Sequence, residues 1–595
     1  MKITQVRRIS QLFFLLIFLW LCVVTTVGVA WWQLRGWPVN WFIQLNPLNA
    51  LALLLTTGTL YAGLAWSAVT IALTVLFGRA FCGWICPLGT LQQVMGWLGG
   101  SRMHVGDRFR RNAYHRAQRF KYYLLVFLLS AAVGGLLMKA IPGRPGAWLR
   151  SLTAGSLLSG VLDPLSLLQR AVNLAILPWL DRARNLLWLT PRFYIGAALP
   201  ALLLAGVLLT CLWKPRFYCR TICPLGALLG VLGRVSLWRI GKRQAGCSLC
   251  LACEAHCEGA CEPAGRIRVT ECVLCMNCLH PCPDDLIGYR TSRSEAGERP
   301  GPDLTRRGLV SSLVSGLVAV PLARQNGLLD RAARAELIRP PGAEGEEDFL
   351  ARCIRCGQCM RICPSNIVQP ALWEAGVEGL WTPLVKFRMG TAGCRPTCVA
   401  CGQICPTGAL RPLQPEERLG RGGAAPIRMG TAFVDQGRCL PWAMDRPCIV
   451  CQENCPVSPK AIYLRETFQP LRSVLPPVSR ADPLTLFFDE PLPSNASLAG
   501  GDCYVRVSGP AGDSPRRIVE HAPNSLGIDP HEPWEPAPKA GEHAEALVRL
   551  QRPMVDPALC IGCGICENVC PLTARAAIRV TAENESRHPS RSFLL

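Results

Sequence analysis

Six times in this chain of 595 residues, four cysteines recur at spacings that leave the intervening backbone little freedom. Cys247, Cys250, Cys253 and Cys257 form C-x2-C-x2-C-x3-C, and so do Cys272, Cys275, Cys278 and Cys282. The pattern returns in Cys353, Cys356, Cys359 and Cys363, and again in Cys560, Cys563, Cys566 and Cys570. Cys394, Cys398, Cys401 and Cys405 open with a gap of three residues, and Cys439, Cys448, Cys451 and Cys455 with a gap of eight. A cubane [4Fe–4S] cluster needs one thiolate on each iron: three come from a tight loop and the fourth from a segment ending in Cys-Pro. Zinc sites show two separated C-x-x-C knuckles instead of this run. Six [4Fe–4S] clusters are therefore expected. Where two such clusters share a fold, the fourth cysteine of each quartet serves the other cluster, so Cys282 is assigned to the first cluster and Cys257 to the second. Cys257 lacks the following proline and Cys261 lies four residues beyond it, so either is open as the fourth ligand. Pairing among the four C-terminal quartets is open too: neighbours, or the first with the fourth around a middle pair.

Of the 32 cysteines, eight lie outside the quartets. Four belong to an internal repeat, FCGWICPLG at Phe81–Gly89 and FYCRTICPLG at Phe217–Gly226. On a helix, Cys82 and Cys86 would share one face, as would Cys219 and Cys223. These four thiols can converge as ligands of an additional metal or cluster, or act as thiol/disulfide redox pairs. Cys22 and Cys211 read as packing residues, and Cys503 is isolated in a Pro-rich stretch.

Half of the residues are hydrophobic, and four apolar runs precede residue 215: Gln11–Trp32, about Ala62–Phe77, Tyr122–Ile141 and Phe193–Trp213. Their lengths approach the ~20 residues of a spanning helix, which predicts an α-helical membrane domain of four spans. Arg79, Arg102, Arg108, Arg110, Arg111, Arg116, Arg119 and Lys121 follow the second run, and Lys214, Arg216, Arg220, Arg234, Arg239, Lys242 and Arg243 the fourth. The bias of such residues toward the cytoplasmic side places the N-terminus and both basic segments there, in a bacterial inner membrane. It also gives a first reading of the formal charge of +22, with a docking surface for an acidic redox partner next. No nucleic-acid module is present in the sequence, so no nucleic-acid partner is expected. The Leu157–Leu180 stretch reads as re-entrant or interfacial.

Past the midpoint stands TRRGLVSSLVSGLVAVPLA, Thr305–Ala323. Arg306 and Arg307 before a short apolar run of small residues have the form of a twin-arginine export signal, which suits cargo that must cross already folded around its clusters. Left uncleaved, it would be a fifth span carrying the C-terminal module to the periplasm. The chain thus divides into a membrane domain (1–243), a two-cluster ferredoxin domain (244–290), a linker (291–304), the signal-like anchor helix (305–330), a four-cluster ferredoxin module (331–470 and 554–582) and a Pro-rich insertion (471–553). The ferredoxin modules are expected to be of the bacterial α+β type, and the insertion to form a small β cap.

GRAFCGWICPLG, CRTICPLG and the first two quartets resemble the membrane ferredoxins of the NapH/MauN type. The twin-arginine segment, IRPPGA, FLARCIRCGQCMRICP, CRPTCVACGQICPTGAL and the last two quartets resemble the exported NapG/MauM type. Together they cover nearly the whole chain, which looks like a fusion of two usually separate partners. The resemblance implies membrane lipid and the quinone pool as partners, quinol as electron donor, and a periplasmic redox enzyme or cytochrome as acceptor. It equally allows a maturation factor supplying electrons to a periplasmic enzyme; a membrane redox regulator is a third reading. With no nucleophile or acid/base constellation in the sequence, the chain is expected to carry electrons without substrate chemistry of its own, at most as a component of a quinol dehydrogenase. Two clusters inside and four outside would then require an electron path across the membrane.

Overall fold

The computed structural model describes residues 2–25, 37–100, 103–140, 156–182, 191–245, 247, 250–299, 301–325, 336–421, 423, 425–471, 474–492, 498, 501–509 and 514–588. The close of the first apolar run, parts of the 142–192 loop and the end of the signal-like segment lie outside them. The chain forms two compact units. The first comprises Met1–Thr391, Pro396–Ile427 and Ser586–Ser590; the second comprises Ala392–Arg395, Arg428–Glu585 and Arg591–Leu595.

The helical part of the first unit is not the four-span domain, with a fifth span, that the apolar runs predict. Among the described residues one helix, Ile3–Val24, is both long and apolar enough to cross a membrane. The second and fourth runs form helices Ala62–Phe77 and Ala198–Trp213, which belong to a class of 10–17 residues, short of the ~20 a span needs. The third lies in Phe120–Ala140, whose side chains are described only as far as Val133. Glycines bound the helices at the second run. Pro47–Thr57 stops at Gly58, which takes the left-handed conformation (φ +73°), and Ser67–Phe77 stops at Gly78 (φ +80°). Left-handed backbone costs a side-chain-bearing residue roughly 1–2 kcal/mol and glycine little, so each helix ends there.

Polar side chains stitch these helices together. Asn46 Nδ2 donates to Asp163 Oδ1 at 2.5 Å, and Asp163 Oδ2 caps helix Pro164–Ala171 by accepting from Ser166 N–H at 2.8 Å. Leu165, Leu168 and Ala171 of the 157–180 stretch are buried in the main core, while Ile176, Trp179 and Leu180 at its end stand exposed. The basic residues after the second and fourth runs are likewise used internally in part. Arg79, Lys121, Arg216 and Arg220 are all buried.

Helix Ile3–Val24 is gripped at both ends by a ferredoxin segment. Near its start, buried Arg7 donates Nη2 to Glu258 Oε1 and Asn277 Oδ1, each at 3.4 Å. Near its end, Arg361 Nη2 donates to the carbonyls of Cys22 (3.3 Å) and Val23 (3.4 Å). At a rise of ~1.5 Å per residue these two grips lie roughly 22 Å apart along the helix. The 239–290 segment closes with strand Arg239–Lys242 antiparallel to Ile287–Arg290, and the 336–411 segment with Val368–Pro370 antiparallel to Pro383–Val385.

Arg306–Gln325 is a continuous helix of 20 residues, but it is not among those apolar enough to span. Its small residues serve packing instead. Gly316 lies directly against Phe127 and Ser130 of helix Phe120–Ala140, where a Cβ would find no room. The Thr305 N–H donates to Tyr123 Oη at 2.9 Å.

An ion triad around half-buried Glu346 stands at the entry to the second ferredoxin segment. Glu346 accepts from Arg339 (Nε 3.2 Å, Nη2 2.5 Å) and from Arg587 Nη1 at 2.7 Å. Burial alone would raise its pKa; Arg339 and Arg587 overcome this and bring it to about 2 from the ordinary 4.5. A carboxyl with a depressed folded pKa stabilises the fold above its unfolded pKa, and that contribution fades as pH falls toward the folded value. The stability gap between wild type and Glu346→Gln should therefore be full above pH 4.5 and close progressively toward pH 2. Paired urea titrations across that window check it, and a constant gap would refute it.

In the second unit, a seven-stranded antiparallel sheet runs in the order Ile462–Pro470, His543–Val555, Cys503–Ser508, Arg516–Ala522, Ser525–Ile528, Thr485–Phe487 and Arg480–Asp482. Alternation decides its inner face: Cys503, Val505 and Val507 are buried, and Leu526 and Trp534 join their core. The Pro-rich insertion thus builds a sheet, and its outgoing and returning strands pair from Ile462↔Val555 to Pro470↔Leu547. That pairing brings Cys455 and Cys560, far apart in sequence, to the same end of a ribbon. Strand Thr431–Val434 pairs with Ile578–Thr581 to close the module.

Candidate iron–sulfur centres

Three of the quartet loops share one backbone device. In Cys353-Ile-Arg-Cys356-Gly-Gln-Cys359, Arg355 and Gly357 have φ of +56° and +78°. Leu274 and Met276 repeat this at +50° and +57° in the 272–278 loop, and Gly562 and Gly564 at +67° each in the 560–566 loop. Left-handed residues on either side of the second cysteine curl the loop so that three thiols face one point. A short helix follows: Gln358–Ile362 in one case, Ile565–Val569 in another. It delivers the fourth cysteine at its C-terminal end. Leucine, methionine and arginine in this conformation cost roughly 1–2 kcal/mol each, a strain typical of sites that hold a ligand.

Three cavities show where the thiols converge. One is lined by Cys353, Cys356 and Cys359 together with Cys405. A second is lined by Cys560, Cys563 and Cys566 with Cys455, and a third by Cys439, Cys448 and Cys451 with Cys570. Quartets therefore pair as sequence neighbours, the third with the fourth and the fifth with the sixth. In each cavity the fourth thiol comes from the partner quartet. Backbone donors approach these sulfurs: Leu410 N–H lies 3.5 Å from Cys405 Sγ, Ala432 N–H 3.4 Å from Cys560 Sγ, and Ala577 N–H 3.4 Å from Cys570 Sγ.

In the 247–282 segment, Cys253 lies within electrostatic reach of Cys247, Cys282 and Cys250, and Cys278 within reach of Cys275, Cys257 and Cys272. Cys261 stands beside this second group: its Sγ is 3.3 Å from that of Cys257, and its N–H donates to Cys257 Sγ at 3.3 Å. The fourth quartet is divided by the unit boundary. Cys394 falls in the second unit, where its N–H donates to the Cys563 carbonyl at 2.8 Å, while Cys398, Cys401 and Cys405 fall in the first along with Cys363. Cys82, Cys86, Cys219 and Cys223 are buried in the helical core. Arg306 and Arg307 lie exposed in the first turn of their helix.

Four thiols around a cavity suit a cluster whose irons each take one. Sequence reasoning did not anticipate the charged groups behind these loops. Glu258, next to Cys257, would have its pKa raised by burial, yet Arg7 and Arg216 hold it below the usual carboxylate range. Glu271, next to Cys272, accepts from Lys121 Nζ at 2.6 Å and Tyr122 Oη at 2.8 Å. Arg216 and Lys121 read in the sequence as surface charge, and nothing local marked Lys121 as a buried partner.

Paired cysteine loops of this kind define a ferredoxin-type iron–sulfur protein carrying [4Fe–4S] clusters. Residues 59–106 and 195–243 match one 4Fe-4S binding domain family, and residues 349–369 and 553–574 match another. The MauM methylamine utilization ferredoxin-type protein of Paracoccus denitrificans is 32% identical over 189 residues, 32% of this chain and 78% of that protein. The chain belongs to this family of ferredoxin-type proteins. MauM of Methylorubrum extorquens is 38% identical over 148 residues, 24% of this chain and 63% of the relative. The ferredoxin-type protein NapG of Escherichia coli is 35% identical over 153 residues, 25% of this chain and 61% of the relative. The chain thus spans somewhat under two thirds of the length of these last two. No solved structure matches the chain.

Proposed function

We propose that the chain relays electrons from a quinol to a redox partner protein, with the cysteines of the six quartets as ligands of six [4Fe–4S] clusters and helix Ile3–Val24 as its attachment to a membrane. The carrying observation is an open cavity of about 1040 Å³ in the first unit. Leu12, Leu15, Val94 and Trp97 make one wall apolar, and Arg8, Arg108, His256, Glu258 and His280 make the other polar. The polar wall is the outer face of the first ferredoxin segment, since Glu258 and His256 flank Cys257. A quinol has the matching character: an apolar tail and a polar ring. Its oxidation releases two electrons, one for each cluster of the adjacent pair, and two protons, for which the histidines are candidate acceptors.

The two grips on helix Ile3–Val24 support a direction. Electrons entering beside Glu258 would leave through the 353–405 pair at the far end of the helix. A joining of a NapH/MauN-like half to a MauM/NapG-like half accounts for this order along one chain.

The test uses the full chain purified without oxygen. A short-chain quinol should produce reduced-cluster EPR signals, and Leu15→Trp, which adds bulk to the apolar wall, should slow that reduction while leaving reduction by dithionite intact. Quinol reduction unchanged by the tryptophan, or absent from the wild type, would sink the reading.

A further inference from the structure

Two copies of R-x2-C-x3-C-P-L-G face each other in the core of the first unit, and the six-cluster relay uses neither. They run from Arg79 to Gly89 and from Arg216 to Gly226. In each, the cysteine before proline starts a helix, Pro87–Gly100 or Pro224–Leu232. Cys223 Sγ accepts the Gly226 N–H at 3.2 Å, and Cys86 accepts the Gly89 N–H in the same way. Proline at the first helical position gives up a donor that would have had no partner, and the helix N-terminus favours negative charge on the capping sulfur.

The copies interlock. A Cβ on Gly89 would meet Arg216 Nη1 at 3.4 Å; one on Gly226 would meet Arg79 Nη2 at 3.0 Å and Cys223 Sγ at 3.4 Å. Each arginine therefore lies over the other copy's turn. Arg216 Nη1 also donates to the Cys82 carbonyl at 3.0 Å. All four thiols are buried and within electrostatic reach of one another. Arg79 and Gln92 are 2% and 0% exposed, yet Arg79 Nε and Nη2 and Gln92 Nε2 have no hydrogen-bond partner. Gln92 is held at the site, because its Oε1 accepts the Cys219 N–H at 3.4 Å. Buried donors left unpaired beside four thiols mark a place where an anionic group belongs.

We propose that Cys82, Cys86, Cys219 and Cys223 hold a seventh iron–sulfur cluster, placed between the two ferredoxin pairs of the first unit. An oxidised [4Fe–4S] core with four thiolates carries about two net negative charges, which the two buried guanidinium groups balance. All four are free thiols. The two segments matched as a 4Fe-4S binding domain, 59–106 and 195–243, contain Cys82, Cys86, Cys211, Cys219 and Cys223 and no quartet cysteine. Neither segment alone holds four.

Position gives the centre its use. On one side Gly83 packs on the Val273 carbonyl, Trp84 Nε1 donates to the Leu274 carbonyl at 3.2 Å, and Arg216 is in reach of Cys275. On the other, Tyr218 donates to the Leu162 carbonyl, and Arg170 is in reach of both Tyr218 and Cys356 while donating to the Arg355 carbonyl at 3.2 Å. The centre would take one electron from the cluster of Cys272, Cys275 and Cys278, which is oxidised as the centre is reduced, and pass it to that of Cys353, Cys356 and Cys359. No bond or proton need move.

Iron and sulfide analysis of the full chain decides it. Seven clusters require about 28 irons per chain and six about 24. The expected result is the higher figure for wild type, falling by about four in Cys86→Ser/Cys223→Ser with loss of one EPR component. About 24 irons in both would overturn the seventh centre and leave the six-cluster relay standing. Should the double variant lose more, Arg79→Gln decides. Removing a positive charge beside one cluster should lower the midpoint potential of a single component at unchanged iron content. A titration identical to wild type would overturn the proposal.

Discussion

Replacing Cys570 with serine will empty the site built by Cys439, Cys448 and Cys451 and spare that of Cys560, Cys563 and Cys566. The cavity linings carry this expectation, because Cys570 faces the preceding quartet and Cys455 the following one. The crossing follows the ferredoxin rule, and the cavities add which quartets cross. Additivity tests the crossing. Cys570→Ser should cost about four irons per chain. Adding Cys439→Ser should cost nothing more, since both ligate one cluster, whereas adding Cys560→Ser should remove about four further irons. If instead Cys560→Ser is the silent addition, each quartet serves its own cluster and the crossed arrangement is wrong.

Lys121→Met will destabilise the first unit by about 3–5 kcal/mol, the usual cost of leaving a buried ion without its partner. Lys121 Nζ and Glu271 Oε2 are 2.6 Å apart with side chains 1% and 4% exposed. Tyr122 and Gln118 also donate to Glu271, at 2.8 Å and 3.1 Å, but neither supplies charge. Glu271 precedes Cys272, so the loss should appear first at the 272–278 loop, as faster bleaching of cluster absorbance on heating. Lys121→Met/Glu271→Leu, which removes both charges, should recover much of the stability. Equal bleaching in Lys121→Met and wild type would show the pair to be energetically idle.

Much of the site was legible because a cluster's demands are local. Three cysteines two residues apart must lie on one turn of loop, whatever surrounds them, and Cys-Pro must follow. The CPLG turns were legible for the same reason, as a helix start written in four residues. The four-span domain was misread because the helices in the second and fourth runs, Ala62–Phe77 and Ala198–Trp213, are shorter than a span, and Gly58 separates Pro47–Thr57 from the former. Arg79 and Arg216 were counted as surface charge because burial is not a local property. Their recurrence three residues before each first cysteine was the one available signal.

The sequence by itself determined that six cysteine quartets have ferredoxin spacing and that two further pairs stand apart from them. Only the tertiary structure decided which quartets line a common cavity, that the Pro-rich insertion folds into a sheet joining Cys455 to Cys560, and that two ferredoxin segments hold opposite ends of helix Ile3–Val24. The first set depends on bond lengths and turn geometry within about ten residues. The second depends on which surfaces bury one another across hundreds, and spacing carries no record of that.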